Sequence, residues 1–275
     1  MSHRVRRTLN GLGLGAIHAL ALLAFIPAIF HWSAVAAAGV LLYLTGGLGI
    51  ALCFHRTLTH RGLRLRKPLE YGLAILGTLA MQADPIRWVA THRKHHAHAD
   101  TTDDPHDRHR GFRWAHVAWL CRPNEAFPTE SELRHFAPDL FAQRFYRGLR
   151  YAQWPLHLSL AIVLFALGGW SWVIWGMFVR LAVSYHATWL VNSAAHSIGY
   201  RTFRTRDLST NCWWVALISW GEGWHNNHHA FPYSARHGFR WFEIDPTWWL
   251  VRLLRWVHLA DHVRLPSRRA LTTTQ

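Results

Sequence analysis

Three short histidine-rich motifs stand out in this chain of 275 residues, which contains 22 histidines. Neutral imidazole is a good nitrogen ligand for iron, zinc or copper. On a helix, residues at i, i+3 and i+4 share a face, so an H-x-x-H-H motif can direct three rings at one point. Histidines scattered by composition would not repeat this spacing, so we interpret the motifs as ligands for two metal ions. They are His55-Arg-Thr-Leu-Thr-His60, His92-Arg-Lys-His95-His96 and His225-Asn-Asn-His228-His229.

A fourth segment, Asn192-Ser-Ala-Ala-His196, places an amide and an imidazole at i and i+4 on one helical face. Both side chains can point into the same site, the amide directly or through water. The alternative is a polar cap where a helix leaves lipid. Nearby carboxylates are predicted to accept the remaining imidazole N–H groups rather than to bind metal, with a solvated loop charge as the alternative for Asp103. These carboxylates are Asp100, Asp103, Asp104 and Glu222.

Long apolar segments must position these motifs. Residues 11–30 and 34–54 each run for about 20 residues without Asp, Glu, Lys or Arg, the length that a helix needs to cross a bilayer. A third apolar region, 154–191, is broken at Gly168-Gly169, is flanked by tryptophans and carries Arg180, which should face protein or headgroups. Residues 70–83 are too short to cross and fit an interfacial or re-entrant helix. A buried core helix is the alternative reading of the first two segments.

The sequence therefore predicts an all-α, polytopic membrane protein with four transmembrane helices in two hairpins. We expect a single domain over 1–275, with hairpins at about 11–54 and 154–191. A helical cytoplasmic cap holding a di-metal site would comprise about 55–153 and 192–265, before a frayed tail at 266–275. Asp245-Pro246 is a good helix start, and the amphipathic segment that follows, to residue 259, could touch lipid, the cap or a donor protein.

The distribution of positive charge predicts the orientation. Arg and Lys precede the first apolar segment and fill 55–150 and the segment from 201 onward, whereas both hairpin tips lack them. Both termini and the metal site are therefore expected on the cytoplasmic side, in the inner membrane if the host is bacterial. The net charge of +15 is explained by attraction to an anionic leaflet, because no nucleic-acid recognition module is present. A secretory signal fits less well, since signal cores are shorter.

Other chemistries have little support in the sequence. The three cysteines form no C-x-x-C pair and leave an odd count, which fits a reducing compartment. There is no G-x-S-x-G and no G-x-x-x-x-G-K motif, so neither a serine hydrolase nor a phosphate-binding loop is indicated.

The motifs and their order resemble those of the membrane fatty-acid desaturases, most closely the delta-9 type shared by stearoyl-CoA desaturases and by cyanobacterial and bacterial acyl-lipid enzymes. The resemblance covers most of the chain. It rests on HRTLTHR at 55–61, WVATHRKHHAH at 88–98 with Asp100 and Asp104-Pro-His106 after it, HATWLVNSAAH at 186–196 and GEGWHNNHHAFPYSARHG at 221–238.

This resemblance implies an oxygen-dependent desaturation in which a di-iron centre, dioxygen and two electrons convert a saturated acyl chain, as acyl-CoA or acyl-lipid, to a cis-unsaturated one. It implies that Asn192 holds a metal-bound water and that a bent apolar tunnel takes the acyl chain. We assign Trp88, Trp189 and Trp220 as candidate tunnel or gate residues, with interfacial packing as the alternative. The implied iron ligands are His55, His60, His92, His95, His96, His196, His225, His228 and His229.

The chain departs from the family pattern at two places. Ala51 and Cys53-Phe54 stand where the family commonly has Thr and Gly-Tyr, which leaves the tunnel shape and chain length open. Arg87 stands where relatives often have an acidic or different polar residue, which leaves headgroup preference open. No His-Pro-Gly-Gly segment is present, so a separate electron donor is expected, ferredoxin or a cytochrome b5-like protein.

Two other functions remain as alternatives. A related di-iron hydroxylase or ketolase acting on a lipid, sterol or carotenoid would insert oxygen instead of removing hydrogen. A metal transporter would place its ligands inside the spans near the midplane, whereas these motifs lie just outside the apolar segments.

Overall fold

The computed structural model describes residues 3–273, and these are mostly helical. Three helical stretches are long and apolar enough to cross a membrane: Thr8–Phe25, Trp32–Thr59 and Arg144–His196. The first consists of helix α1 (His3–Ala21) from Thr8 onward and the 3₁₀ turn Leu22–Phe25, and a second turn, Pro27–Ile29, leads to the next stretch. The second consists of α2 (Trp32–Leu42), which continues without interruption into a π-helix, π1 (Tyr43–Thr59). The count is thus three continuous stretches, where the sequence predicted four separate spans.

The third stretch contains a backbone break. It comprises α8 (Arg144–Val173), the π-helical turn π2 (Ile174–Val179), α9 (Arg180–Ser193) and the 3₁₀ turn Ala194–His196. Inside α8, Gly168 (φ −153°, ψ 18°) and Gly169 (φ 60°, ψ −155°) leave the helical region, a conformation that glycine adopts without steric cost. A Cβ on Gly176 would lie 2.9 Å from Leu164 Cδ1. The chain therefore folds back on itself at the predicted glycine pair.

Arg180, which lies beyond the glycine break in this stretch, faces protein. Its side chain is almost fully buried, and its Nε donates to the carbonyl of Gly176 at 2.6 Å. One terminal nitrogen donates to Thr45 Oγ1 and to the carbonyl of Leu79, both at 3.0 Å. The guanidinium therefore joins α9 to π1 and to Leu79, the residue that follows helix α3 (Lys67–Thr78).

Helix π1 owes its winding to bonds between residues five apart. The N–H of His60 donates to the carbonyl of His55 at 3.2 Å, and Thr59 Oγ1 donates to the carbonyl of Phe54 at 2.7 Å. Helix α3 (Lys67–Thr78) packs closely against π1, since a Cβ on Gly49 would lie 2.4 Å from the backbone nitrogen of Gly77. Helix α3 covers most of the segment predicted to be interfacial and is not among the stretches long enough to cross a membrane.

The rest of the described chain packs around the buried half of π1. Ile50, Leu52, Phe54 and Leu58 of π1 share one core with α3, α8, α4 (Pro85–His98), α6 (Glu130–Phe136), α7 (Pro138–Phe141) and α12 (Pro246–Trp256). Two two-residue strands pair antiparallel, β1 (Arg64–Leu65) with β2 (Ala260–Asp261), and join this region to the C-terminal part. The remaining helices are α4 (Pro85–His98), α5 (Trp119–Cys121), α6 (Glu130–Phe136), α7 (Pro138–Phe141), α10 (Trp213–Ile218), α11 (His225–Ala230), α12 (Pro246–Trp256) and α13 (Arg268–Thr273), with a π-turn at Trp114–Ala118 and a 3₁₀ turn at Arg108–Arg110.

The C-terminal predictions are met in part. Helix α12 begins at Pro246, and Asp245 Oδ1 accepts from the backbone N–H of Trp248 at 3.0 Å, as expected for an N-cap. The helix ends at Trp256, three residues before the predicted limit. Helix α13 (Arg268–Thr273) lies within the segment predicted to be a frayed tail.

Candidate metal centre

Nine histidines from four elements converge at two adjacent positions. One group contains His55, His60, His92, His96 and His228, and the other contains His95, His196, His225 and His229. Within each group, one nitrogen per ring lies within 4.8 Å of those of all the other members. These are the nine residues expected from the motifs and the resemblance, and each contributing element places them by local interactions.

The π-helical winding of π1 brings the first motif together. Residues five apart in an α-helix point in different directions, but in a π-helix they lie one turn apart on the same side. The rings of His55 and His60 are accordingly 4.8 Å apart, in an edge-to-face arrangement. The H-x-x-x-x-H spacing therefore needs this unusual helix to act as a pair.

Helix α4 presents the second motif. It is capped by Asp84, whose Oδ1 accepts from the backbone N–H groups of Ile86 and Arg87 at 3.1 Å each. Between the histidines, Arg93 donates to Asp139 at 2.7 Å and to the carbonyl of Leu58 at 2.7 Å. These bonds fix the rotation of α4 relative to the end of π1, so that the motif histidines face the histidines of π1.

Helix α11 presents the third motif, and its two asparagines anchor it on the opposite side. The Oδ1 of Asn226 accepts from the backbone N–H groups of Thr202 and Phe203, both at 2.8 Å. The Nδ2 of Asn227 donates to Glu243 Oε2 at 2.9 Å, and its Oδ1 accepts from Asn211 at 2.8 Å. Both asparagines are fully buried and hydrogen-bonded, which a six-residue helix needs for a fixed orientation.

Carboxylates hold several of the rings from behind, as predicted for three of the four candidates. The Nδ1 of His95 lies 2.8 Å from Asp104 Oδ2, and the Nδ1 of His196 lies 2.9 Å from Asp100 Oδ2. The Nδ1 of His55 contacts Glu222 Oε2. Such contacts fix the tautomer in which Nδ1 carries the proton and Nε2 is free to bind a metal. Asp103 is exposed and has no described contact with these rings, as expected for a solvated loop charge.

Three further residues of the site were missed by the sequence reasoning. Asp207 Oδ2 lies 2.9 Å from the Nδ1 of His229 and so holds that ring as the other carboxylates hold theirs. The sequence did not indicate this contact, because Asp207 lies in none of the motifs. His106 and His237 share the carboxylates of Asp104 and Glu222, with Nδ1–oxygen distances of 3.5 and 3.3 Å. Their rings lie 4.2 Å from that of His95 and 4.5 Å from that of His228. Both histidines lie in segments that the resemblance already included, Asp104-Pro-His106 and Ala235-Arg-His237. These segments could have indicated that the two rings belong to the site.

Burial lowers the pKa of seven of the nine histidines. Burial, reinforced by neighbouring imidazoles, holds the pKa of His60, His92, His95, His225, His228 and His229 well below the usual value. The same causes lower the pKa of His96 to about 3. Burial raises the pKa of Glu222, but His55 and Arg56 outweigh it and hold that pKa well below its usual range. Neutral rings and charged carboxylates are the protonation states that metal binding requires.

The residues fit a pair of divalent metal ions. The Nδ1 atoms of His95 and His229 face carboxylates, so their Nε2 atoms carry lone pairs, and these two atoms lie 3.3 Å apart. Two acceptors at this distance repel unless a cation is shared between them. The buried Nε2 atoms of His60 and His196 have no hydrogen-bond partner, which is costly for a polar group without a ligand. An all-imidazole donor set suits iron, zinc or copper and disfavours magnesium or calcium.

A cavity of about 450 Å³ reaches the first histidine group. Its lining includes His92, Asn192 and Trp88, and the Trp88 ring stacks on that of His92 at 5.2 Å. Trp189 also lines it. Trp220 is placed differently: its ring packs on π1, so that a Cβ on Gly46 would lie 2.5 Å from it. Two of the three candidate tunnel tryptophans thus line this cavity, and so does Asn192 of α9.

Comparison with known proteins defines the class of protein. The family model for fatty acid desaturases matches residues 5–262. An sn-1 stearoyl-lipid 9-desaturase from Anabaena variabilis is 50% identical over 260 residues, which is 94% of each chain. The corresponding enzyme of Synechocystis is 46% identical over 93% of this chain and 80% of its own. An sn-2 palmitoyl-lipid 9-desaturase from Nostoc is 44% identical over 94% of this chain and 90% of its own.

The chain belongs to the fatty acid desaturase family, and it is an oxidoreductase that acts on fatty acyl chains. The histidine clusters described above could hold metal ions, and the three apolar helical stretches suggest an association with a membrane.

Proposed function

We propose that this protein introduces a cis double bond at the delta-9 position of an acyl chain carried by a membrane lipid. The substrate class is supported by three relatives named as acyl-lipid 9-desaturases that cover almost the whole chain. We assign the redox centre to two iron ions held by the nine histidines, with dioxygen as co-substrate. The observation that carries the proposal is the convergence of these nine rings beside a cavity that reaches them.

The chemistry itself requires a redox metal. A methylene in the middle of a saturated chain is far too weak an acid for side-chain bases, so the oxidising power must come from a cofactor. Two irons with dioxygen and two electrons would supply it. The protein contributes what remains: the carboxylates orient the imidazoles, burial excludes water, and the Trp88–His92 stack fixes one wall of the cavity beside the first histidine group.

The acyl chain would occupy the cavity lined by apolar residues of α1, α9 and the loop before α4. Leu14 and Ile17 of α1 and Tyr185 and Trp189 of α9 are among its walls. Asn10, Arg87 and Gln153 are polar residues of the same lining. We assign the lipid headgroup to these polar residues and a bound water to Asn192, which lies in the lining with His92.

The membrane arrangement follows from the three apolar stretches and the glycine break. With the reversal at Gly168–Gly169, the Arg144–His196 stretch would supply two spans, giving four in two hairpins. All four histidine-bearing segments would then lie on one side, which the distribution of Arg and Lys assigns to the cytoplasm. Electrons would come from a separate donor on that side, a ferredoxin or a cytochrome b5-like protein.

Lipid analysis tests the proposal. Cells that express the wild-type chain should gain monounsaturated acyl chains with the double bond at position 9, in an oxygen-dependent way, and the purified protein should contain about two irons per chain. Gas chromatography with location of the double bond measures the new monounsaturated chains, and cells that express the His228→Ala variant are the negative control. Unchanged lipid profiles together with metal-free protein would refute the proposal, and a product heavier by one oxygen would instead indicate a hydroxylase.

A further inference from the structure

Helix α12 has two apolar faces, and only one is covered by protein. Val251 is fully buried and packs in the main core with Trp248 and Leu254. On the other side, Trp249, Leu253 and Trp256 are 57%, 50% and 77% exposed. Their spacing of four and three residues places them on one stripe of the helix. A helix with an exposed stripe of this kind has a partner that the described protein does not provide.

A basic groove runs along one flank of that stripe. Its volume is about 490 Å³, and it is lined by Trp248, Val251, Arg252, Arg255, Trp256, His258 and Leu265. Within the described chain, the side chains of Arg252 and Arg255 make neither a hydrogen bond nor an ion pair. The neighbouring carboxylate, Asp261, is bound by Arg64 at 2.7 Å. The groove therefore presents two unpaired guanidinium groups beside exposed indole surface.

The position of α12 relates the stripe to the membrane. In the Trp32–Thr59 stretch, exposed residues end at Tyr43, and the segment from Thr45 onward is enclosed by protein. Trp220 contacts this boundary, because its ring packs on Gly46 and Gly47. The carbonyl of Trp220 accepts from Thr247 Oγ1 at 2.7 Å, in the first turn of α12. Helix α12 thus begins beside the level at which the lipid-facing surface of the second stretch ends.

We propose that α12 lies in the interface of the bilayer and that its groove binds the phosphate of an anionic phospholipid. Arg252 and Arg255 contact the headgroup, while Trp249, Leu253 and Trp256 lie against the acyl region. The arrangement matches interfacial helices, in which an apolar stripe is buried at the headgroup boundary and flanking cations contact anionic lipid. The exposed indoles beside unpaired guanidinium groups, at the level where the lipid-facing surface ends, favour an anionic lipid over a protein partner.

The depth of α12 is measured with nitroxide labels on the full-length protein in nanodiscs of phosphatidylcholine and phosphatidylglycerol. Cys121 is replaced by Ser, since Cys53 and Cys212 are buried. Labels at 253 and 256 should be relaxed more by oxygen than by a water-soluble nickel chelate. A label at the exposed Glu125 should show the reverse, and a label at Ile162, exposed on the apolar face of α8, reports the membrane placement on which this inference rests.

The groove is tested through lipid selectivity. Spin-labelled phosphatidylglycerol should associate with the wild type more strongly than spin-labelled phosphatidylcholine. The Arg252→Gln/Arg255→Gln variant should reduce that preference by on the order of tenfold, from the attraction expected of two arginines near an anionic surface. The Arg204→Gln/Arg206→Gln variant loses the same charge from an exposed loop and should keep the preference. Inorganic phosphate, added as a competitor, should not displace the lipid.

Three outcomes overturn the inference. Labels at 253 and 256 could be as accessible to nickel as the label at 125 while the label at 162 is in lipid, which removes the helix from the interface but leaves the enzyme assignment intact. The two arginine variants could show equal selectivity, which removes the groove. Protection of an otherwise water-exposed 253 label by an acidic ferredoxin would assign the face to the electron donor.

Discussion

Arg56 and Glu222 form a buried ion pair behind the first histidine group. The Nε and Nη2 of Arg56 lie 3.0 and 2.9 Å from Oε1 of Glu222, and the other carboxylate oxygen contacts His55. The same guanidinium is bound by both oxygens of Asp245, each at 2.9 Å. Through Glu222 and Asp245, Arg56 therefore connects the end of π1, the residues before α11 and the start of α12. Glu222 in turn contacts His55, one of the histidines assigned as ligands.

Replacing Arg56 with Met should destabilise the protein by about 3–5 kcal/mol, because two buried carboxylates would lose their positive partner. Arg61, in the same motif, is a matched control: its side chain is 64% exposed and pairs with Asp139 at the surface. Arg61→Gln should cost less than about 1 kcal/mol. Thermal unfolding of the detergent-purified variants compares the two, and equal effects would show that burial of the pair has no energetic importance.

Removing His228 should abolish both iron binding and desaturation. Its Nε2 lies 2.9 Å from that of His96 and 3.1 Å from that of His55, so its loss opens the five-histidine group. We expect His228→Ala to reach the membrane at normal levels with less than one iron per chain and no new double bonds. His135 is exposed on α6, and His135→Ala should behave as the wild type. An active, iron-loaded His228→Ala variant would show that the ligand assignment is wrong.

The carboxylate of Asp207 should matter for metal affinity although it is not assigned as a ligand. Burial raises its pKa, but the contact with His229 outweighs this and lowers it, so Asp207 remains charged. Asp207→Asn keeps the shape and removes the charge, and we expect iron affinity to fall by about 10–100-fold. Asp103→Asn, at an exposed site, should leave it unchanged. Competition with a chelator at graded concentrations measures both, and unaltered retention in Asp207→Asn would contradict the role.

The close contact between π1 and α3 should be sensitive to a single methyl group. A Cβ on Gly49 would meet backbone atoms of Gly77 at 2.4–2.5 Å, so Gly49→Ala must separate the two helices and should cost about 1–3 kcal/mol. Gly72 lies within α3 with nothing within 4 Å of an added Cβ. Gly72→Ala should stabilise α3 by up to about 1 kcal/mol. Thermal unfolding distinguishes them, and a shift of the same sign in both would be evidence against the contact.

The parts of the site that depend on short spacing were predictable. Helical geometry relates His92 to His95 and His96, and the approach of these motifs to one another follows from their shared position beside the apolar segments. Partners that are distant in sequence were not predictable in this way. Asp207 reaches His229 only because the loop after His196 folds back over α11, and the pairing of Arg56 with Glu222 joins residues 166 positions apart.

The membrane segments were predictable in position but not in conformation. Hydropathy located the apolar stretches, and the glycine pair at 168–169 marked the break, since both depend on composition alone. Composition does not reveal that Tyr43–Thr59 winds as a π-helix, which depends on its packing against α3 and on the carbonyl bonds of Thr57 and Thr59. The prediction of four spans counted the glycine pair as a boundary between two helices. The structure has three stretches, because helical residues continue on both sides of that pair.

The anchoring of α11 has a consequence for how the enzyme matures. The bond from Asn227 to Glu243, a residue 16 positions further along the chain, helps to hold His228 and His229 in place. Synthesis proceeds from the N-terminus, so α11 can take this orientation only after Glu243 has also been made. We therefore expect the proposed iron site to form late in synthesis, and cells starved of the metal should accumulate full-length protein that becomes active on resupply without new synthesis.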